Sequence, residues 1–361
     1  MKTQKGCVIV GKNQMEIRDG LPLPEAHEIV PLGALVKPVV WSPCTTDVHI
    51  CKTGCAAFPY LLGKATGHEC VGIVEVVGPD VKDIKVGDRV IVDPILPIWR
   101  SIEAQDGCYK WTCDDMYRGI DHPDRGGSFC EMYYVRDADM NLTKIPDNVT
   151  WEQAIMVPDM MNTPFSGVME LDVKFGDSVA VIGVGPVGLM AVKALSIRGA
   201  GKIFAVGSRK VCFERAVEYG ATKCIDYHNE NYWDEIIEAN DGKPVDKVVV
   251  AGGGSNEINI GLHILKIGGT LVNLVALFED DEVSFKSENW GYGYGEKTVK
   301  GVSVGGGRAW LGRMVELISQ GRVDPSSLIT HTFHGMDKLP DAIKLFQEHD
   351  RTLIKPIIYN D

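Results

Sequence analysis

"SVAVIGVGPVGLMAVKALSIRG", residues 178–199, decides how the chain folds. It opens on a short apolar run, breaks at glycines, and continues as a helix-like stretch that stops at Gly199. Gly183, Gly185 and Gly188 stand in the spacing G-x-G-x-x-G. Such a match is weak alone, but here it follows a strand and opens a helix, the context that gives it meaning. Downstream, "KIFAVG" (202–207), "KVCFERAVEYG" (210–220), "KCIDY" (223–227), "DKVVVAGG" (246–253) and "GGTLVNLV" (268–275) repeat the alternation. Strands alternating with helices of about a dozen residues make βαβ units, and hence a parallel sheet.

The predicted architecture of this part is a doubly wound Rossmann sheet. Its glycines allow a tight turn and let the backbone approach a pyrophosphate, while the helix N-terminus supplies N–H groups and positive dipole. Val184, Pro186 and Val187 complete that loop. The end of the next strand selects the dinucleotide. An NAD site usually carries an acid there for the ribose hydroxyl. Here Gly207, Ser208 and Arg209 occupy the position without a carboxylate. Ser208 can donate one hydrogen bond to a 2′-phosphate and Arg209 a charge-assisted fork, with Tyr227 flanking them. The reading is NADP(H).

The first 160 or so residues read differently. Short β-rich runs such as "GIVEVVG" (72–78) and "DRVIVDP" (88–94) alternate with glycine and proline turns, which predicts an irregular β domain. The C-terminal "AWLGRMVELISQG" (309–321), "LPDAIKLFQEH" (339–349) and "LIKPIIYND" (353–361) are too little for a domain and are expected to pack onto the first. The expected division is a discontinuous domain of residues 1–162 and 304–361 around a nucleotide domain of residues 163–303.

A hydrophobic fraction of 45% and a charged fraction of 24% are those of a soluble globular chain. The net charge of −12 argues against nucleic acid or an anionic membrane surface as partner. No run approaches the ~20 apolar residues of a membrane span, and the N-terminus lacks a signal-type apolar core, so the expected compartment is the cytoplasm. Ten cysteines are too dilute for a disulfide framework.

Metal-type residues are present but scattered. Cys44 lies in "SPCTTDVH" (42–49), His68 and Glu69 in "GHECVGIVEVVG" (67–78), and Asp159 in "DMMNTPFSG" (159–167). Spacing alone would not group them, and each has a plain alternative: a buried thiol, a strand-edge histidine, a helix cap.

"GHECVGIVEVVGPDVKDIKVGDRV" (67–90) closely resembles the signature of zinc-containing medium-chain alcohol dehydrogenases, which pair a GroES-like catalytic domain with a Rossmann domain. "SPCTTDVH", "DADMNL" (137–142), "DMMNTPFSG" and "AVGSRK" (205–210) bring the chain nearest to the NADP-dependent secondary alcohol dehydrogenases of bacteria and protozoa, tetramers that reduce ketones such as acetone. The resemblance implies hydride transfer between NADP(H) and a secondary alcohol or ketone whose oxygen rests on zinc. It implies one catalytic zinc on Cys44, His68 and Asp159, with Glu69 as a ligand that can leave. Three protein ligands and an exchangeable position suit a catalytic site. Thr46 would accept the alcohol proton and pass it by way of the nicotinamide ribose to His49, and Lys355 would contact the cofactor.

Cys108, Cys113 and Cys130 lack the spacing of the family's second, structural zinc, so none is expected, and Cys51, Cys55 and Cys70 read as structural. The chain departs from its relatives near Gly119, where an ungapped reading places their large pocket tryptophan; Trp111 lies eight residues earlier. That loss raises the alternative of a bulky cyclic or steroid-like substrate. A polyol or amino-alcohol dehydrogenase, NAD-linked, and a non-enzymatic NADPH-binding protein are the other readings.

Overall fold

The computed structural model describes residues 2–23, 25, 30–56, 58–112, 126–277 and 282–361. Cα packing separates two units, Met1–Asp159 with Gly305–Asp361, and Met160–Val304.

In the first unit, β1 (Thr3–Gly11) and β2 (Gln14–Pro22) form an antiparallel hairpin. β3 (Ala34–Trp41), β4 (Cys70–Val77), β5 (Arg89–Val92), β6 (Tyr133–Val135) and β7 (Leu142–Lys144) follow, with the helix α1 (Thr45–Thr53) after β3. In β4 the face carrying Cys70 and Val74 packs on the core, the strand is buried on both faces at its start, and it opens to solvent at Glu75. Trp41 and Phe129 are fully buried in that core, and the Trp41 indole donates to the Ser128 carbonyl at 2.8 Å. After β5, the buried carboxylate of Asp93 accepts the N–H of Ile95 at 3.0 Å and that of Gly307. It thereby ties the β5 exit to the returning C-terminal segment. Burial raises Asp93 to about 7, against the lowering by those backbone donors.

The second unit holds β8 (Ser178–Ile182), β9 (Lys202–Gly207), β10 (Lys223–Asp226), β11 (Val245–Val250), β12 (Leu265–Asn273) and β13 (Thr298–Gly301). All pair in parallel, in the order β10-β9-β8-β11-β12-β13. This is a doubly wound sheet, the fold expected from the glycine loop. Every residue of β8 is buried, as a central parallel strand covered on both faces requires. Each such Val or Ile contributes roughly 1.5–3 kcal/mol by leaving water. Gly183 turns the chain out of β8 at φ +93°, where a Cβ would sit 2.5 Å from Gly252, and a Cβ on Gly188 would meet the Gly183 carbonyl at 1.9 Å. Only glycine fits either place. The helix Pro186–Arg198 then starts on a proline, whose missing N–H costs nothing there, and stops at left-handed Gly199.

The chain closes back in the first unit with β14 (Ile329–His334) and β15 (Lys355–Tyr359). β15 runs parallel to β14 and antiparallel to β3, extending one sheet in the order β14-β15-β3-β4-β5-β7, with β6 on β3. Residues distant in sequence, β3, β4 and β15, are thus neighbours. Among the described residues no helix is long and apolar enough to cross a membrane.

Candidate metal centre and nucleotide site

The first site begins where β3 hands over to α1. Cys44 is the N-cap of that helix, and its sulfur accepts the Thr46 N–H at 3.5 Å. Asp47, three residues on, returns the favour by accepting the Cys44 N–H at 2.8 Å. This reciprocal cap fixes the thiol at the helix start. The second carboxylate oxygen of Asp47 lies 3.5 Å from Nδ1 of His68, so one buried acid holds two candidate ligands.

His68 and Glu69 arrive from the run into β4, and Asp159 from a π-helical turn, Val157–Met161, a geometry that recurs at functional sites. The ligand atoms of Cys44, His68, Glu69 and Asp159 all lie within 4.8 Å of one another. The Cys44 sulfur is 3.3 Å from Asp159 Oδ2, and His68 Nε2 is 3.8 Å from the same oxygen and 3.9 Å from Glu69 Oε1. The structure therefore assembles the four residues that spacing could not group.

Behind them, Lys355 of β15 is 1% exposed, and its ammonium donates to Glu69 Oε1 at 2.7 Å and to the Pro43 carbonyl at 2.9 Å. Lys355, expected at the cofactor, has its ammonium here against Glu69.

The electrostatics of the cluster call for a cation. Burial pushes the Cys44 thiol up, and the Asp159 charge pushes it further. Burial likewise raises Glu69 to about 7, although Lys355 pulls it back. His68 is lifted well above its ordinary value: burial alone would lower it, but Asp47 and Asp159 outweigh that. Glu69 Oε2 is buried with no hydrogen-bond partner. Several acidic groups crowded in a dry site, with an orphaned carboxylate oxygen and a soft thiol beside an imidazole, fit a zinc ion.

Thr46 and His49 lie one helical turn apart on α1, and the Thr46 hydroxyl is 3.7 Å from the Cys44 sulfur. Cys51, Cys55 and Cys70 are buried in the unit, Cys70 with no exposure at all. Gly119, Cys113 and the Trp111 side chain lie outside the described residues.

The second site stands at the C-terminal ends of β8, β9 and β10. A Cβ on Gly185 would meet nothing nearer than the Arg209 guanidinium, at 3.9 Å, so the space before the helix Pro186–Arg198 is open and rimmed by a cation. Ser208 Oγ and the Tyr227 hydroxyl are 3.1 Å apart, and the Tyr227 N–H donates to the Gly207 carbonyl at 3.1 Å. An open cradle at a helix N-terminus, with Ser208, Arg209 and Tyr227 beside it, fits a dinucleotide that carries a 2′-phosphate.

Two residues were not singled out from the sequence. Asp47 could have been, because "CTTD" has capping-box spacing. His228, which packs on Tyr227, carries no such signal.

Comparison with known proteins agrees with this geometry. Residues 31–147 match the alcohol dehydrogenase GroES-like domain and residues 186–320 the zinc-binding dehydrogenase domain. An NADP-dependent isopropanol dehydrogenase of Thermoanaerobacter brockii is 41% identical over 329 residues, 91% of this chain and 93% of that protein. One of the same name from Entamoeba histolytica is 40% identical over 358 residues, 99% of this chain and 96% of that protein. Among solved structures, an alcohol dehydrogenase of Thermus sp. ATN1 superposes with a TM-score of 0.84 at 26% identity, covering 99% of this chain and 100% of that one.

Proposed function

The chain belongs to the zinc-binding alcohol dehydrogenases, and on that premise we propose that it is an NADP(H)-linked oxidoreductase of small secondary alcohols and their ketones. The observation that carries this reading is the buried meeting of Cys44, His68, Glu69 and Asp159 within 4.8 Å. Those residues would hold one zinc, Glu69 as the ligand that comes and goes, and there the metal supplies Lewis acidity to the substrate oxygen while the nicotinamide carries hydride.

The protein's own groups do the rest. Asp47 fixes Cys44 and His68 in place, as an outer partner of metal ligands does. Lys355 compensates the charge of Glu69 and holds one of its oxygens, leaving Oε2 available to the cluster. Thr46 Oγ1 takes the hydroxyl proton as the alcohol is oxidised, and His49, one turn along α1, receives it. In reduction the same groups return it.

The discontinuous unit is the catalytic domain in this reading, and the continuous one binds the dinucleotide through Gly183, Val184, Gly185, Pro186, Val187 and Gly188. The absence of an acid at Gly207–Ser208–Arg209 supports NADP over NAD. The relatives' names, isopropanol dehydrogenases, support a small secondary alcohol over a bulky or polyol substrate. Exposed Ile267, Trp290, Tyr292 and Tyr294 near the edge strand β13 support assembly of like chains, with a tetramer as the expected state, and a cytoplasmic location completes the reading.

The test is acetone-dependent oxidation of NADPH by protein of measured zinc content. The expected result is one zinc per chain, loss of activity when a chelator removes it, and a kcat/KM with NADPH at least ~10-fold above that with NADH. Full activity in zinc-free protein would overturn the reading.

A further inference from the structure

The wall behind the glycine loop is itself built of glycine. β11 delivers "AGGGSNE", residues 251–257, to the same end of the sheet as β8, its parallel neighbour. The two exits touch at three places. The Ala251 N–H donates to the Ile182 carbonyl at 2.8 Å. Gly252 lies so close to Gly183 that a Cβ on Gly183 would be 2.5 Å from it, and a Cβ on Gly188 would be 3.6 Å from that of Ala251. The first and third glycines of the phosphate loop thus rest on this segment. Three glycines in a row have no side chains with which to hold a path, and each loses more freedom on ordering than any other residue.

Glu257 supplies what they lack. Its Oε2 accepts the Gly254 N–H at 2.6 Å, while Asn256 Nδ2 donates to Oε1 at 3.4 Å. Its carboxyl group also lies against Gly253, which takes φ +87°; a Cβ there would be 2.3 Å from Oε2. Gly254 is the N-cap of the helix Ser255–Ile264 and offers no side-chain acceptor. Glu257, at the third helical position, makes the half of a capping box that reaches from helix back to cap. A carboxylate also suits the positive end of that helix. One side chain therefore anchors the far end of the segment, as pairing with β8 anchors the near end.

We infer that Glu257 is a positioning residue for the dinucleotide: by bonding Gly254 and packing on Gly253 it keeps Gly252 against Gly183, and so supports the loop that receives the pyrophosphate. The inference rests on the dinucleotide reading above. It gives an acid outside the glycine motif a share in cofactor binding, one that acts on NADPH and NADH alike.

Fluorescence titration of the full-length protein with NADPH and NADH tests it, together with competition by adenosine 2′-monophosphate, which carries the 2′-phosphate but no pyrophosphate. Glu257→Ala should weaken both dinucleotides about tenfold, the lower end of what one hydrogen bond to a charged group is worth, and leave the monophosphate within about twofold. Glu257→Gln keeps an acceptor oxygen at the same reach and should stay within about threefold of wild type for all three probes. Amide exchange over residues 251–254 should quicken in Glu257→Ala and not in Glu257→Gln. Glu257 is half-buried, so both variants should fold, which circular dichroism checks.

The outcomes separate cleanly. If wild type prefers NADH or binds neither dinucleotide, the NADP reading falls. If wild type binds as expected and Glu257→Ala changes neither affinity nor exchange, only the inference falls. If Glu257→Ala weakens the monophosphate as much as the dinucleotides, its effect is on the fold at large, and the inference is overturned. Glu257→Gln binding as weakly as Glu257→Ala would overturn it too, since charge rather than the bond to Gly254 would then be at work.

Discussion

The two candidate sites are built in opposite ways. The cluster of Cys44, His68, Glu69 and Asp159 is dry, its members spread over 115 residues of sequence, and its outer partners Asp47 and Lys355 are each 1% exposed. The selectivity site at the end of β9 is wet: Tyr227 is 50% exposed, and its neighbours sit one or two residues apart on adjoining strand ends. A metal cage needs low dielectric, since desolvated acids and a thiol bind a cation far more strongly than solvated ones. A phosphate selector needs only a few donors and the absence of one acid. The contrast teaches that errors in the first site should be paid in folding and metal content, whereas errors in the second should appear only as altered preference.

The largest expected effect tests the dry side. Cys44→Ser should cost more than the ~100-fold that loss of an outer partner typically costs in activity or metal affinity, with elemental analysis showing the zinc gone. Retained zinc would break the contrast at once. Next, Lys355→Met strands the Glu69 carboxylate in the interior and should destabilise the fold by about 3–5 kcal/mol in urea denaturation. Loss of selectivity without loss of stability would mean that Lys355 belongs with the wet site instead.

Asp93 sharpens the comparison through pH. Burial raises its folded-state value from 3.8 to about 7, so the native state keeps a proton that the unfolded chain has released. Stability from this group is present at acid pH and lost as pH rises through 7. Between pH 5 and 8 the wild type should lose about 2.5 kcal/mol relative to Asp93→Asn, measured by parallel denaturant titrations. A constant difference would mean that the Asp93 carboxyl is not desolvated in the native state.

On the wet side the effects shrink and change in kind. Arg209→Ala should weaken NADPH about thirtyfold in kcat/KM while leaving NADH and the melting temperature nearly unmoved. Tyr227→Phe removes one hydroxyl and should cost about threefold, again for NADPH alone.

The same contrast explains what could be read before folding. The Rossmann unit was legible because its signals are local: a strand, three glycines and a helix within 22 residues of sequence, then a strand end without an acid. The cluster was not, because residues 44, 68, 69 and 159 come together only through β3, β4 and a π-helical turn, and resemblance alone grouped them. Asp47 was within reach of local reasoning as a capping partner, and His228 was not. The placement of Lys355 needed the sheet itself, since nothing in "LIKPII" says that β15 lies beside β3.

That placement also orders events in time. Glu69 and Lys355 are 286 residues apart, and β15 joins the sheet between β14 and β3. During synthesis the Rossmann unit is a continuous stretch that can close as soon as it emerges. Glu69 has to stay in water until the last strand is made, because burying it earlier would leave its charge uncompensated. A chain interrupted before residue 355 would carry Cys44, His68, Glu69 and Asp159 and still lack the ammonium that faces Glu69.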